Sequence, residues 1–148
     1  MPGDFSGTAL IDRPIADVFA FLAEGTNDPK FSPRVLEISK EPPGPSALGT
    51  VFVSRVKDAG MTTNRRFELT AFDAPTTLRW SERSKNLITV SEGGYDLEAL
   101  GDSQTRLTVF NSFAAHGLGK LLVGFARKAA AKDADAFAQR IKAAAEAS

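Results

Sequence analysis

Two charged side chains stand where strand alternation would turn them toward an apolar interior. Arg65 is in phase with Phe67 and Leu69, and Glu82 is in phase with Leu78 and Trp80. Charged residues are almost never fully buried unless paired, so the two are expected to meet. If Leu69 sits opposite Leu78 across the Ala74-Pro75 turn, an antiparallel register sets Arg65 opposite Glu82. Such a pair is either a salt bridge at the wet end of a cavity or an anchor that orients a ligand carbonyl or hydroxyl. Tyr95, in phase with Leu97, and Asn111, in phase with Val109 and Phe113, each add a hydrogen-bonding group to a mostly apolar wall. Satisfaction by backbone or water is the alternative for both. Gly93-Gly94, in the strand of Tyr95, reads as a bulge, with space left near a ligand as the alternative.

Other chemistry is thinly represented. His116 is the single histidine. A ring that titrates near neutrality suits a general base, but no acidic orienter or nucleophile stands near it in sequence. An exposed position between the last strand and the helix is the plainer reading. Gly117-Leu118-Gly119-Lys120 has the look of a phosphate loop. A P-loop needs Gly five residues before its final Gly and Ser or Thr after its Lys, where Ala114 and Leu121 stand, so nucleotide binding is rejected. Cysteine is absent, which excludes disulfide scaffolds and thiolate chemistry. One His without Cys argues against structural zinc. No catalytic set emerges, and no metal or cofactor is expected.

These residues need elements to hold them. Phe5 to Ile11 alternates as a first strand, and Ile15, Val18, Phe19 and Leu22 follow at helical spacing after Pro14. Gly25, Asn27 and Pro29 break that helix, and Lys30 to Ser32 is read as a short helical turn before Pro33. Strands are expected over Val35 to Lys40, Thr50 to Lys57, Thr62 to Asp73, Thr77 to Arg83, Leu87 to Ala99 and Thr105 to Phe113. Glu41 to Pro45, Asp58-Ala59-Gly60, Ala74-Pro75 and Gly101-Asp102 separate them. Short connections between consecutive strands imply an antiparallel meander. From Leu118 to Ala147 one long helix is expected, with Leu118, Leu122, Phe125, Ala126, Ala130, Ala134, Phe137, Ile141 and Ala145 read as one stripe. Phe125 and Phe137 are then both expected against the sheet. A single helix packed on a curved antiparallel sheet is an α+β architecture.

Composition bounds the rest. The chain has 148 residues, 43% of them hydrophobic and 24% charged, which indicates one globular domain over residues 1–148. Eighteen Lys and Arg balance eighteen Asp and Glu, so nothing favours nucleic acid, which selects clustered cations. No run of about 20 apolar residues exists, and the first residues lack the basic and apolar regions of a signal peptide. A cytoplasmic domain without integral membrane association, monomeric or weakly dimeric, is expected.

The order strand, short helices, meander, long helix resembles the helix-grip fold. Ile11 to Leu22 resembles the opening strand-to-helix motif of the START-like (SRPBCC) superfamily, in its polyketide cyclase/dehydratase and lipid-transport branch. Asp28 to Val35 is similar to that family's next segment, with Phe31 where Trp is usual. Leu48 to Phe52, Phe72 to Trp80, Tyr95 to Glu98 and Thr105 to Thr108 resemble later strands and hairpins of the family. The resemblance implies an apolar cavity between sheet and helix, taking lipids, sterols, quinones, hormones or polyketides. It also implies that an internal Arg serves some polyketide-acting relatives as a polar anchor. It supplies no universal catalytic residue, and fold does not fix function.

Phase assigns the ligand-facing residues: Phe52, Ser54, Arg65, Phe67, Trp80, Glu82, Ser91, Tyr95, Asn111 and Phe113 on strands, and Phe125, Ala126 and Ala130 on the helix. Ala126, Ala129, Ala130 and Ala134 are small, which predicts a pocket beneath them. The best-supported function is a non-catalytic carrier or sensor of a hydrophobic small molecule. An enzyme acting on a polyketide-like substrate is the alternative, with Glu82, Tyr95, Arg65 and His116 as candidate groups. A protein-interaction module is a third reading, which would require a large exposed apolar patch.

Overall fold

In β1 (Phe5–Ile11) alternate residues are buried: Phe5, Gly7, Ala9 and Ile11 point inward, and Ser6, Thr8 and Leu10 face out. This is the alternation that a half-buried strand requires. The computed structural model describes residues 4–58 and 60–148; the expected connection at Ala59 lies outside them. Pro14, which cannot donate a hydrogen bond, precedes α1 (Ile15–Ala23), whose first turn carries Asp17. A 3-10 segment, Gly25–Lys30, follows where the short turn had been expected at Lys30 to Ser32.

Six further strands come in order: β2 (Val35–Glu41), β3 (Val51–Asp58), β4 (Met61–Asp73), β5 (Thr77–Glu82), β6 (Ile88–Ala99) and β7 (Thr105–Ala115). They form one antiparallel sheet in the order β1-β7-β6-β5-β4-β3-β2. Each neighbour from β2 to β7 is next in sequence, so only β1 crosses over. Register shifts at Val35/Glu37, Leu69/Ala71 and Val90/Glu92 are the irregularities that bend a sheet.

The long helix, α2 (Gly119–Ala147), lies mainly along β1 and β7. Ala134, Ala138, Ile141 and Ala145 are buried there and join Ile11, Val18, Leu78, Leu107 and Val109 in one core. Gly7 allows the closest approach: a Cβ placed on it would lie 2.3 Å from the Ala134 carbonyl oxygen. Phe137 packs edge-on against Phe5 and Phe31, with ring centroids 5.6 and 5.7 Å apart. The far end is tied down where Asp12 N–H donates to Glu146 Oε2 at 2.8 Å. That bond and Lys142 hold the Glu146 carboxyl below its usual range, against a smaller opposing effect of burial.

Two expectations about α2 are corrected. Phe125 is 82% exposed, and Leu118 and Leu122 are also exposed. At 100° per residue, Phe125 and Ile141 lie about 160° apart around the axis. The apolar residues therefore form two stripes on opposite faces, not one. The small residues also do not leave a void at Ala134; they let the helix touch β1. Clefts of about 390 and 450 Å³ lie elsewhere, one beside Arg13, Val18 and Ala145, the other beside Phe31, Pro33 and Arg140.

Candidate functional site

The inner face of β3 to β7 carries the candidate residues in cross-strand rows. Phe52 pairs with Phe67, and Phe67 pairs with Glu82. Leu69, Trp80, Gly93 and Asn111 form a second row, and Leu78, Tyr95 and Val109 a third. Ser54 pairs with Arg65, and Val90 with Phe113. Phe52, Ser54, Glu82 and Tyr95 are buried, while Arg65, Phe67, Trp80, Asn111 and Phe113 are half-buried. Ala126 and Ala130 are half-buried on α2. Ser91 departs from the expectation: it is the extra residue at the Val90/Glu92 shift, is exposed, and donates its hydroxyl to the Ser112 carbonyl at 3.1 Å. A one-residue bulge breaks the alternation that had placed it inward.

Arg65 and Glu82 do meet, though not in the expected register. Leu69 faces Trp80, not Leu78, because the turn runs over Ala74 to Thr76 and β4 bulges at Leu69/Ala71. Arg65 therefore reaches Glu82 diagonally, with Nη1 at 3.0 Å from Oε1 and 3.1 Å from Oε2. The same nitrogen donates to the Ile88 carbonyl at 3.2 Å. Glu82, whose side chain is fully buried, also accepts from Val90 N–H at 3.0 Å, Asn86 Nδ2 at 3.0 Å and the Ser84 hydroxyl. Its carboxylate is thus saturated and fixes the β5–β6 connection. Among the described residues, Nε and Nη2 of Arg65 make no hydrogen bond, so this cation is oriented with donors to spare.

Trp80 and Asn111 meet across Gly93. The indole N–H donates to Asn111 Oδ1 at 3.2 Å. A Cβ on Gly93 would lie 2.1 Å from that oxygen and 2.3 Å from the indole nitrogen, so only Gly fits beneath the bond. Tyr95 packs edge-on against Trp80 at 4.8 Å. His116 is exposed and its Nε2 hydrogen-bonds Thr89 Oγ1 at 2.9 Å. The histidine therefore belongs to the connection before α2, in line with the plainer reading.

One titratable group escaped the sequence reading. Asp28, in the 3-10 segment, has its carboxyl pushed up to about 7 by burial. Tyr95 is raised well above the usual phenol range, first by desolvation and then by the charge of Asp28. Among the described residues no cation or hydrogen-bond donor contacts the Asp28 carboxylate. An Asp beside Pro29 looks like an ordinary turn residue, and nothing local in the sequence marks it as desolvated.

Over residues 2–146 the chain matches the family described as polyketide cyclase / dehydrase and lipid transport. The chain belongs to that family. Among solved structures, the Zhui aromatase/cyclase from Streptomyces sp. R1128 is similar at 17% identity and TM-score 0.72, covering 95% of this chain and 92% of that one. A START superfamily protein from Mycobacterium smegmatis is similar at 14% identity and TM-score 0.66, covering 93% and 96%. The di-domain ARO/CYC BexL from the BE-7585A biosynthetic pathway is similar at 18% identity and TM-score 0.71 over 97% of this chain. This polyketide cyclase/dehydrase-family chain spans 50% of that protein's length. At these identities the likeness establishes the helix-grip fold. No curated protein sequence matches the chain at comparable significance. Among the described residues no helix is long and apolar enough to cross a membrane.

Proposed function

We propose that the inner face of β3 to β7 binds a hydrophobic small molecule, a lipid, polyketide or aromatic, which the protein carries or senses without chemically changing it. The observation that carries this reading is Arg65. Its Nη1 is locked by a saturated carboxylate, its other nitrogens lack partners among the described residues, and it shares its strand with Phe67, which pairs with Phe52 one step along the face. A few placed polar groups within an apolar wall are the ordinary make-up of a small-molecule site. Phe52, Phe67, Trp80 and Phe113 would supply contact area, and Arg65 and Asn111 would orient a ligand oxygen. A thermal-shift screen against lipids and aromatics tests it: a ligand at about 100 times its dissociation constant stabilises by about 2.7 kcal/mol. Arg65→Met should weaken oxygenated ligands and spare hydrocarbons. A screen in which no compound raises the melting temperature overturns the reading.

Asp28 favours a second reading, an enzyme of the cyclase or dehydratase kind. A carboxyl that releases its proton near neutrality can both donate and accept one, and it lies within electrostatic reach of Tyr95. In that case Asp28→Asn abolishes conversion of a polyketide-like substrate while leaving uptake intact.

A further inference from the structure

The outward face of α2's first half is apolar where nothing covers it. Leu118, Leu121, Leu122 and Phe125 are 70%, 80%, 51% and 82% exposed. Their spacing of three and four residues makes one stripe. The opposite side of the same turns is pinned. Gly119 sits on β6's lead-in, where an added Cβ would lie 1.9 Å from the Leu87 carbonyl oxygen. Arg127 Nη2 donates to the Phe113 carbonyl at 3.2 Å, and its Nε lies 3.2 Å from Asp4 Oδ2. The helix therefore cannot roll to bury the stripe without breaking these contacts. Lys128 and Lys132 continue the outward face one and two turns on and are exposed. From His116 to Lys132 the sequence carries Lys120, Arg127, Lys128 and Lys132 and no acidic residue. Among the described residues none of the three lysines is in an ion pair. Leu87, 47% exposed, and Met61, 65% exposed, belong to the same end of the sheet. There Asn86 Nδ2 meets the Asn64 carbonyl and His116 N–H meets the Leu87 carbonyl.

We propose that this face docks peripherally on an anionic phospholipid bilayer, with the apolar stripe in the interface and the lysines on the headgroups. A helix with a Leu/Phe face and Lys beside it, yet not apolar enough to cross a bilayer, is suited to lie in the interface plane. Long Lys stems let charge and apolar contact coexist at the boundary. Cations attract an anionic leaflet but give a neutral one no preference. A chain with no net charge overall concentrates positive charge on this stretch, which orients it toward the membrane.

Co-sedimentation of the full chain with phosphatidylcholine vesicles, alone and with about a third phosphatidylserine, tests the proposal. Binding is expected on the anionic vesicles and should fall about tenfold or more at about 0.5 M salt. It should fall as far in Leu121→Ser/Phe125→Ser and in Lys128→Glu/Lys132→Glu. Circular dichroism and thermal melting of both variants should match the parent, since all four residues are exposed. No binding to anionic vesicles, or equal binding in the parent and both variants, overturns the proposal. So does a concentration-dependent dimer, seen by light scattering and lost in the apolar variant, without vesicle binding; the stripe is then a contact between copies.

Discussion

Asp28→Asn should make the protein more stable at alkaline pH, because it removes a charge that the folded chain holds poorly. Burial raises this carboxyl from the ordinary 3.8 to about 7. Between those values the folded chain keeps a proton that the unfolded chain has released. Stability therefore falls as pH rises through this window, and the loss is complete above the folded value. About three units at about 1.36 kcal/mol each bound the full penalty near 4 kcal/mol. Between about pH 5 and pH 8.5 the parent should lose about 2–3 kcal/mol that the Asn variant keeps. Asp28 retains some solvent contact, which favours the lower end of that range. Groups that titrate alike in both chains cancel in the difference. Urea unfolding followed by Trp80, the single tryptophan, gives the stability of both chains at both pH values. A difference that stays constant with pH, or a parent that is the more stable chain at pH 8.5, refutes the desolvation argument.

Other substitutions test the remaining geometry. Glu82→Ala leaves Arg65 without its carboxylate and strands several donors; urea unfolding should show a loss of about 3–5 kcal/mol, and a loss below about 1 kcal/mol would mean the pair behaves as an exposed one. Phe137→Ala should destabilise by about 3 kcal/mol by vacating the space between Phe5 and Phe31, while Phe125→Ala should change stability by less than about 0.5 kcal/mol; similar losses would mean the helix is docked on the wrong face. Gly7→Val should push α2 off β1 at a cost of about 1–3 kcal/mol or more, and hydrogen exchange should report faster opening of α2 than of β3 and β4.

The element order was legible because each element carries its own period. β1 begins and ends where its alternation does, and β2 to β7 deviate by a residue or two at their ends. The helix-grip arrangement followed from that order. What a single sequence concealed was phase across elements. Nothing in Phe67 to Ala71 marks the extra residue that shifts Leu69 to face Trp80, and nothing in Val90 to Glu92 marks the bulge that turns Ser91 out. The Arg65–Glu82 pairing survived the shift because a guanidinium on a long stem spans a diagonal. α2 misled through its composition: Leu, Phe and Ala are all apolar, and stepping by threes and fours from Leu118 to Ala145 crosses the helix surface unnoticed. Asp28 was hidden for a different reason, since desolvation depends on neighbours distant in sequence.

The place of β1 in the sheet governs when the molecule can become itself during synthesis. Strands β2 to β7 can zip as successive hairpins while the chain emerges, each needing only the strand before it. β1 leaves the ribosome first but pairs with the last strand, Ile11 against Thr105 and Phe5 against Asn111. Closing so long a loop is entropically slow. Until it closes, β1 and β7 are both open edges that invite pairing with other chains. The platform for α2 is β1 with β7, so the helix has nowhere to dock until the first and last strands have met. A nascent chain that has released no more than β6 should therefore hold the hairpins and lack the core, a state that protease digestion of ribosome-bound chains would reveal as a β1 cut faster than the β2–β6 segment.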